Sequence, residues 1–300
     1  MGGVSVNMNM SGGYASFLEE EIYILGYSTV EDVKLRDIVE RNNLCICGSG
    51  KKFKKCCEDK MLLKGIKNYQ DKLIIYDGDR ASDYIYNIAE ILAFKIHKDN
   101  PISLNNGLVL LQNLYDLTDG LTREFEQYFS CHKGCSSCCS VFVDVTFIEA
   151  ELIRSYIDSK FTQSEQDSIL FKIRENAKSA PVSISNKEDV DILDMHYRKN
   201  IPCPLLSQEG ACLVYNVRPF TCRTFSVFSN PEECKPGGNS LFFSKQINNQ
   251  TIKTLPILSL NVLTNLQINI NKNNISRHIS HWFKEDFKTL MLTIPLEEAL

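Results

Sequence analysis

Apolar residues recur at a helical spacing, about every 3.6 positions, along most of this chain. Between residues 14 and 43 they crowd together in YASFLEEEIYILGY. They pause at Gly26 and resume at Val33, Leu35 and Ile38, so an N-terminal helical segment broken once is expected. From 60 to 130 three stretches read as antiparallel helices: MLLKGIKNYQDKLIIY, ASDYIYNIAEILAFKIH and NGLVLLQNLYDLTDGLTREFEQYF. Gly78 and Asn100-Pro101 punctuate them. Val141–Val145 then predicts a short strand. Thr146 with Glu149, and Thr162 with Glu165, have the capping-box spacing that opens helices, running to about Lys160 and about Lys178. Ala180 to Lys187 reads as loop and Glu188 to Lys199 as a third helix. Residues 201–240 are rich in Pro, Gly and Cys, which predicts loop held by side-chain ligands. A last helix, Ser276 to Leu292, gathers Ile279, Trp282, Phe283, Phe287, Leu290 and Met291 on one face. The expected fold class is mainly α with short strands and metal-held loops.

Cysteine usage changes this picture most. Twelve cysteines in 300 residues are too sparse for a disulfide scaffold. Eleven of them fall in two windows, 45–57 and 131–222, with Cys234 just beyond. Adjacent pairs and tight spacings of this kind indicate metal binding in a reducing compartment. The start, MGGVSVNMNMSGG, has neither a basic region nor an apolar run of secretory type, and Val6 breaks the myristoylation pattern. The apolar stretch near 255–270 is interrupted by Asn261, Asn265, Gln267 and Asn269. A cytoplasmic protein without a membrane span is expected.

The formal charge of −4 argues against a globally cationic nucleic-acid binder, and no reader of DNA sequence is expected. Residues 41–60 are the exception. Arg41, Lys51, Lys52, Lys54, Lys55 and Lys60 against Glu58 and Asp59 give a formal +4. A zinc held by four thiolates contributes −2 and leaves about +2. A weak contact with an acidic protein surface or RNA competes with a simple solvated lysine face.

The first window reads NLCICGSGKKFKKCC. Four thiolates complete a tetrahedral zinc shell and leave no open position for chemistry. Gly48 and Gly50 permit the turn that returns the chain to the metal, and the lysines favour thiolates. The GSGK string is not a phosphate loop: Cys45 stands where Gly is needed, and Lys52 where Ser or Thr is needed. This window resembles the SEC-C motif, the short zinc-binding module at the C-terminus of the SecA translocation ATPase and in many unrelated proteins. Ile46 stands where Pro is usual, and Glu58 where a small residue is common. The resemblance implies that Cys45, Cys47, Cys56 and Cys57 bind one zinc in a partner-binding accessory.

The second window begins CHKGCSSCC and continues, after a long gap, with CPLLSQEGACLVYNVRPFTCRTF. It resembles the YkgJ-like family of cysteine-cluster proteins, the zinc- or iron-chelating C-x-x-C-x-x-C-C domain, over about 131–228. Three residues rather than two separate Cys131 and Cys135, which departs from the pattern, and Cys234 falls outside it. The resemblance implies metal ligation by Cys131, Cys135, Cys138, Cys139, Cys203, Cys212 and Cys222. Seven thiols exceed one tetrahedral shell, so an iron–sulfur cluster and two metal sites both remain open. Cys138 and Cys139, if extended, point apart.

Arg218 and Arg223 are expected in buried ion pairs or balancing thiolate charge rather than binding an anion. Tyr215 is expected in the core. His132 and His196 lie near the cysteines as substitute ligands or hydrogen-bond donors to them. His278 and His281, three apart, read as a polar helix face rather than a metal pair. The start of the window is also similar to flagellin lysine N-methylases, which implies an iron–sulfur enzyme as the alternative function, although no nucleotide loop is visible.

The expected organisation is an N-terminal helical segment at 1–43, a zinc module at 44–60, a helical connector at 61–130, and a helical cysteine-cluster domain at 131–300. The expected function is metal binding. Zinc occupies the first module, which recruits a protein or RNA partner, and zinc or an iron–sulfur cluster occupies the second.

Overall fold

The computed structural model describes residues 40–45, 49–58, 63–77, 101–132, 134–183, 190–236, 238, 240, 249–269 and 275–287. The helices expected before residue 40 and at 81–97, Cys47, and the end of the last helix lie outside these residues.

The stretch expected as the first connector helix is a β-hairpin. Strand β1 (Leu63–Lys67) pairs antiparallel with β2 (Leu73–Asp77), Ile66 opposite Ile74. The turn overrides the apolar spacing. The Asn68 side-chain oxygen accepts from the backbone N–H of Gln70 and of Lys72, and Asp71 takes φ 57°, a left-handed conformation that no helix continues through. The run Leu73-Ile74-Ile75-Tyr76 then suits a pleated strand. Tyr69 N–H donates to the carbonyl of Phe228 at 2.6 Å, tying the hairpin to the body.

Helix α1 (Leu104–Phe125) starts at Ser103, whose hydroxyl caps the N–H of Asn106. Strand β3 (Asp144–Thr146) leads into α2 (Phe147–Lys160), followed by α3 (Gln163–Ala177). Both capping boxes form as expected: Glu149 accepts from the N–H and hydroxyl of Thr146, and Glu165 from those of Thr162. Next come α4 (Val190–Arg198), α5 (Phe220–Thr224) and α6 (Asn249–Asn265). The segment expected to begin the last helix is instead strand β4 (Ser276–His278), and helix α7 is short, Ile279–Phe283. Pairing decides this: β4 lies antiparallel to β3, with Asp144 opposite His278.

The core joins α1, α2, α3, α6 and α7 around Leu111, Ile148, Ile153, Ile173, Leu258 and Trp282. Ile279, Trp282, Phe283 and Phe287 are buried there, as their spacing predicts. Polar side chains lock the layers. Asn261 accepts from Ile102 N–H at 2.8 Å, and Trp282 donates from its indole to Val145 O at 2.7 Å. Asn261 and Asn265, which interrupt the apolar run of α6, both bind the chain entering α1. No helix among the described residues is long and apolar enough to cross a membrane.

Candidate metal centres

The N-terminal cysteine module is a small turn structure. Leu44 bridges to Lys52, Cys45 N–H donates to Lys51 O, and Phe53 N–H donates to Asn43 O. Gly50 turns the chain at φ 71°. The carbonyl of Phe53 then receives the N–H groups of Cys56, Cys57 and Glu58, which folds the cysteine pair back toward Cys45. The sulfurs of Cys45, Cys56 and Cys57 all lie within 4.8 Å of one another. Among the described residues they are the one His/Cys/Asp/Glu group this close. Ser49 Oγ is 3.1 Å from Cys56 Sγ. Phe53 is the buried apolar anchor, while Lys51, Lys52, Lys54 and Lys55 are exposed. Arg41 is engaged by Glu58 in a two-point ion pair, at 2.6 and 3.1 Å. The donor set is all sulfur and largely buried, which fits a borderline-soft divalent ion.

The second set hangs on loops around the start of α2. Cys138 and Cys139 occupy a 3-10 turn, Ser137–Ser140. Contrary to the extended reading, their thiols meet: Cys138 hydrogen-bonds Cys139, which holds the proton on Cys138 and favours the thiolate of Cys139. Cys203 N–H donates to Cys139 O at 2.6 Å, crossing the long sequence gap. Leu206 bridges to Cys212 around a turn at Gly210, φ 77°. Cys222 sits in α5, whose first N–H, on Phe220, donates to Glu149 Oε1 at 2.7 Å.

Burial dominates the thiol chemistry. It pushes Cys203 up to about 12, and with the nearby Cys203, Cys212 and Cys139 it pushes Cys222 well above the usual thiol range. Cys212 is raised by burial too, with Arg218 opposing. In the metal-free chain these thiols therefore favour their protonated form.

Arg223 makes the expected ion pair, with Asp119. It also donates to Asn216 O at 2.8 Å and stacks 4.2 Å from the Tyr115 ring. Tyr215 is not core: it is 61% exposed, with Arg218 lying 3.9 Å over its ring. The exposed ring gives Arg218 a flat support beside Cys212. His132 contacts the carbonyl of Ser130. His196, His278 and His281 form a buried cluster with Phe142, His196 and His278 having ring centres 5.4 Å apart. The polar-face reading of the last two fails because β4 and α7 turn them inward.

Two neighbours of these cysteines lie outside the spacings read in the sequence. Cys234 is half-buried, close enough to Cys131 to add to the upward push that burial gives its thiol, and lies beyond the recognised spacing. Glu149 reaches from its capping box to α5, a contact 71 positions away.

Comparison with known proteins agrees with the two cysteine windows. The model of the SEC-C motif matches residues 41–59. The model named CxxCxxCC, described as a "putative zinc- or iron-chelating domain", matches residues 130–248. No curated protein and no solved structure matches the chain.

Proposed function

We propose that this protein is a two-part metal binder. The first part holds one zinc through Cys45, Cys47, Cys56 and Cys57 and presents Lys51, Lys52, Lys54 and Lys55 to an acidic protein surface or RNA. The second chelates zinc or iron through the cysteines of 131–222. The meeting of the Cys45, Cys56 and Cys57 sulfurs within 4.8 Å carries the reading, because a segment with one buried aromatic anchor has little else to hold three thiols together. The all-sulfur donor set and the exposed lysines beside it support zinc and a charged partner respectively.

Anaerobic purification with elemental analysis and a visible spectrum tests it. Zinc retained by wild type and lost in Cys56→Ser supports the module. A brown protein that bleaches with dithionite assigns an iron–sulfur cluster to the second part and favours the enzyme alternative; a colourless zinc protein favours a structural centre. Wild type free of metal overturns the proposal. Replacing the four lysines with Ser should keep the zinc and weaken salt-sensitive partner capture; unchanged capture removes the recruiting role.

A further inference from the structure

We infer that Glu149 is the positioning residue of the second cysteine set: its buried carboxylate holds α5, and with it Cys222, in place without metal, and the 203–213 turn closes onto that anchor when metal binds. This rests on the chelating role proposed above and adds to it a residue and an order of assembly.

The two capping boxes allow an internal comparison. Glu165 closes its box at the surface, with Thr162 supplying the donors. Glu149 closes the same box while only 2% exposed. Burying a carboxylate is costly unless protein donors replace water. Thr146 supplies two donors to Oε2. Two more come from far along the chain to Oε1: the Tyr115 hydroxyl at 3.1 Å and Phe220 N–H at 2.7 Å. A carboxylate has about four lone-pair sites, so these donors fill it and leave none for an ion. Glu149 therefore acts by holding α5 and not as a ligand.

Helix α5 cannot hold itself. Its five residues, Phe220–Thr224, make little more than one turn, and an isolated helix of that length is unstable in water. Contacts at both ends fix it to the body. At its start, Phe220 is buried and its N–H is bound by Glu149 of α2. Near its end, Arg223 pairs with Asp119 and lies 4.2 Å over the Tyr115 ring, both on α1, and donates to Asn216 O at 2.8 Å. Tyr115 joins the two ends, since its hydroxyl meets Glu149 and its ring meets Arg223. Cys222 sits between these pinned residues, half-buried against the core. The 203–213 turn is held more lightly. It has Leu205 in the core, its own turn bonds, Lys172 on Leu206 O and the bond from Cys203 to Cys139. A lightly held loop beside a clamped one is the half that moves.

Amide exchange of the reduced, metal-stripped full chain tests this, beside cobalt(II) titration of the same samples. Exchange is expressed relative to amides within α1, and the first module's share of cobalt is identified with Cys56→Ser. In wild type the amides of Phe220 and Arg223 should be protected without metal, while those of Cys203 and Leu213 gain protection only with cobalt. Glu149→Ala should speed exchange at Phe220 and Arg223 about tenfold and weaken cobalt binding beyond the first module by a similar factor. Glu149→Gln keeps an oxygen for Phe220 and Tyr115 and should restore most of both. Thr146→Ala breaks the same capping box without touching α5; it should lower the unfolding midpoint and leave both readouts unchanged. Should Glu149→Ala fail to fold, Asp119→Ala at a half-exposed site frees Arg223 and should speed exchange there several-fold; no rise overturns the inference. It is also overturned if Phe220 and Arg223 exchange as fast as Cys203 in metal-stripped wild type, if Glu149→Ala changes neither readout, or if Thr146→Ala loosens α5 as much. In each of these cases cobalt uptake by wild type leaves the chelating role standing. No uptake beyond the first module overturns the chelating role itself, and the anchor with it.

Discussion

At the scale of single residues, three buried histidines show what position alone conceals. His278 is held down to about 3, first by burial and then by the neighbouring His196 and His281, and burial lowers His196 and His281 as well. The fold therefore accepts only the neutral rings. As pH falls below about 6.5, the unfolded chain takes up protons that the folded one refuses, and stability is lost from there down toward pH 3. At pH 5 His278 alone should remove about 2 kcal/mol. His278→Gln should flatten the dependence of Tm on pH between 7.5 and 5, compared at equal metal content because thiolates also protonate. An unchanged slope would show that the ring titrates freely. The sequence exposed the spacing of His278 and His281 but not their burial, because burial comes from β4 pairing with β3 and from His196 approaching on another helix. Glu149 teaches the same limit: its capping box is local and legible, whereas its bonds to Phe220 N–H and Tyr115 hydroxyl are long-range and are not.

At the scale of elements, legibility follows the range of the determining interaction. Helices α2 and α3 begin where Thr-x-x-Glu places them, since both bonds of a capping box close within one turn. The hairpin at 63–77 escapes the periodicity because its apolar residues satisfy either period over so short a run. Asn68 and Asp71 settle it, through an Asx turn and a positive φ. Packing adds constraints that no periodicity carries. Gly107 lies where α1 meets α2 and α6: a Cβ there would stand 2.6 Å from Val262 Cγ2 and 3.1 Å from Ile148 Cδ1, both on fully buried residues. Gly107→Ala gains about 1 kcal/mol of helix propensity but must displace a stiff branched side chain, an overpacking cost of about 1–3 kcal/mol. A net loss of about 1 kcal/mol in the denaturant midpoint free energy is expected. A stabilised variant would mean that the helices have room to part.

At the scale of the whole molecule, two kinds of stability coexist, and metal removal should separate them. The helical body has a large continuous apolar cluster, with Leu111, Ile148, Ile153 and Leu258 fully buried. Its amides are protected by packing that needs no ion. The cysteine loops have much less of this reserve. Residues 43–45 and 49–58 bury little beyond Phe53 and the thiols, and the 203–213 turn sends one side chain, Leu205, into the core and is otherwise held by its own turn bonds and by Cys203 to Cys139. The shortage of ligands in each cysteine loop already points to 131–139 meeting 203–222 across the 63-residue gap, and the Cys203 to Cys139 bond joins the two backbones there; what the local spacings do not carry is how the body closes that gap. Hydrogen exchange on the reduced full chain, with and without a strong chelator, should therefore split. The amides of Cys45, Phe53, Cys56, Cys203 and Leu213 should lose protection, while those within α1, α2 and α6 keep it. Loss of protection across α1 and α2 as well would show that metal holds the core itself. Retention everywhere would show that the loops are ordered by packing and that the thiols, despite their clustering, do not depend on a metal for their place.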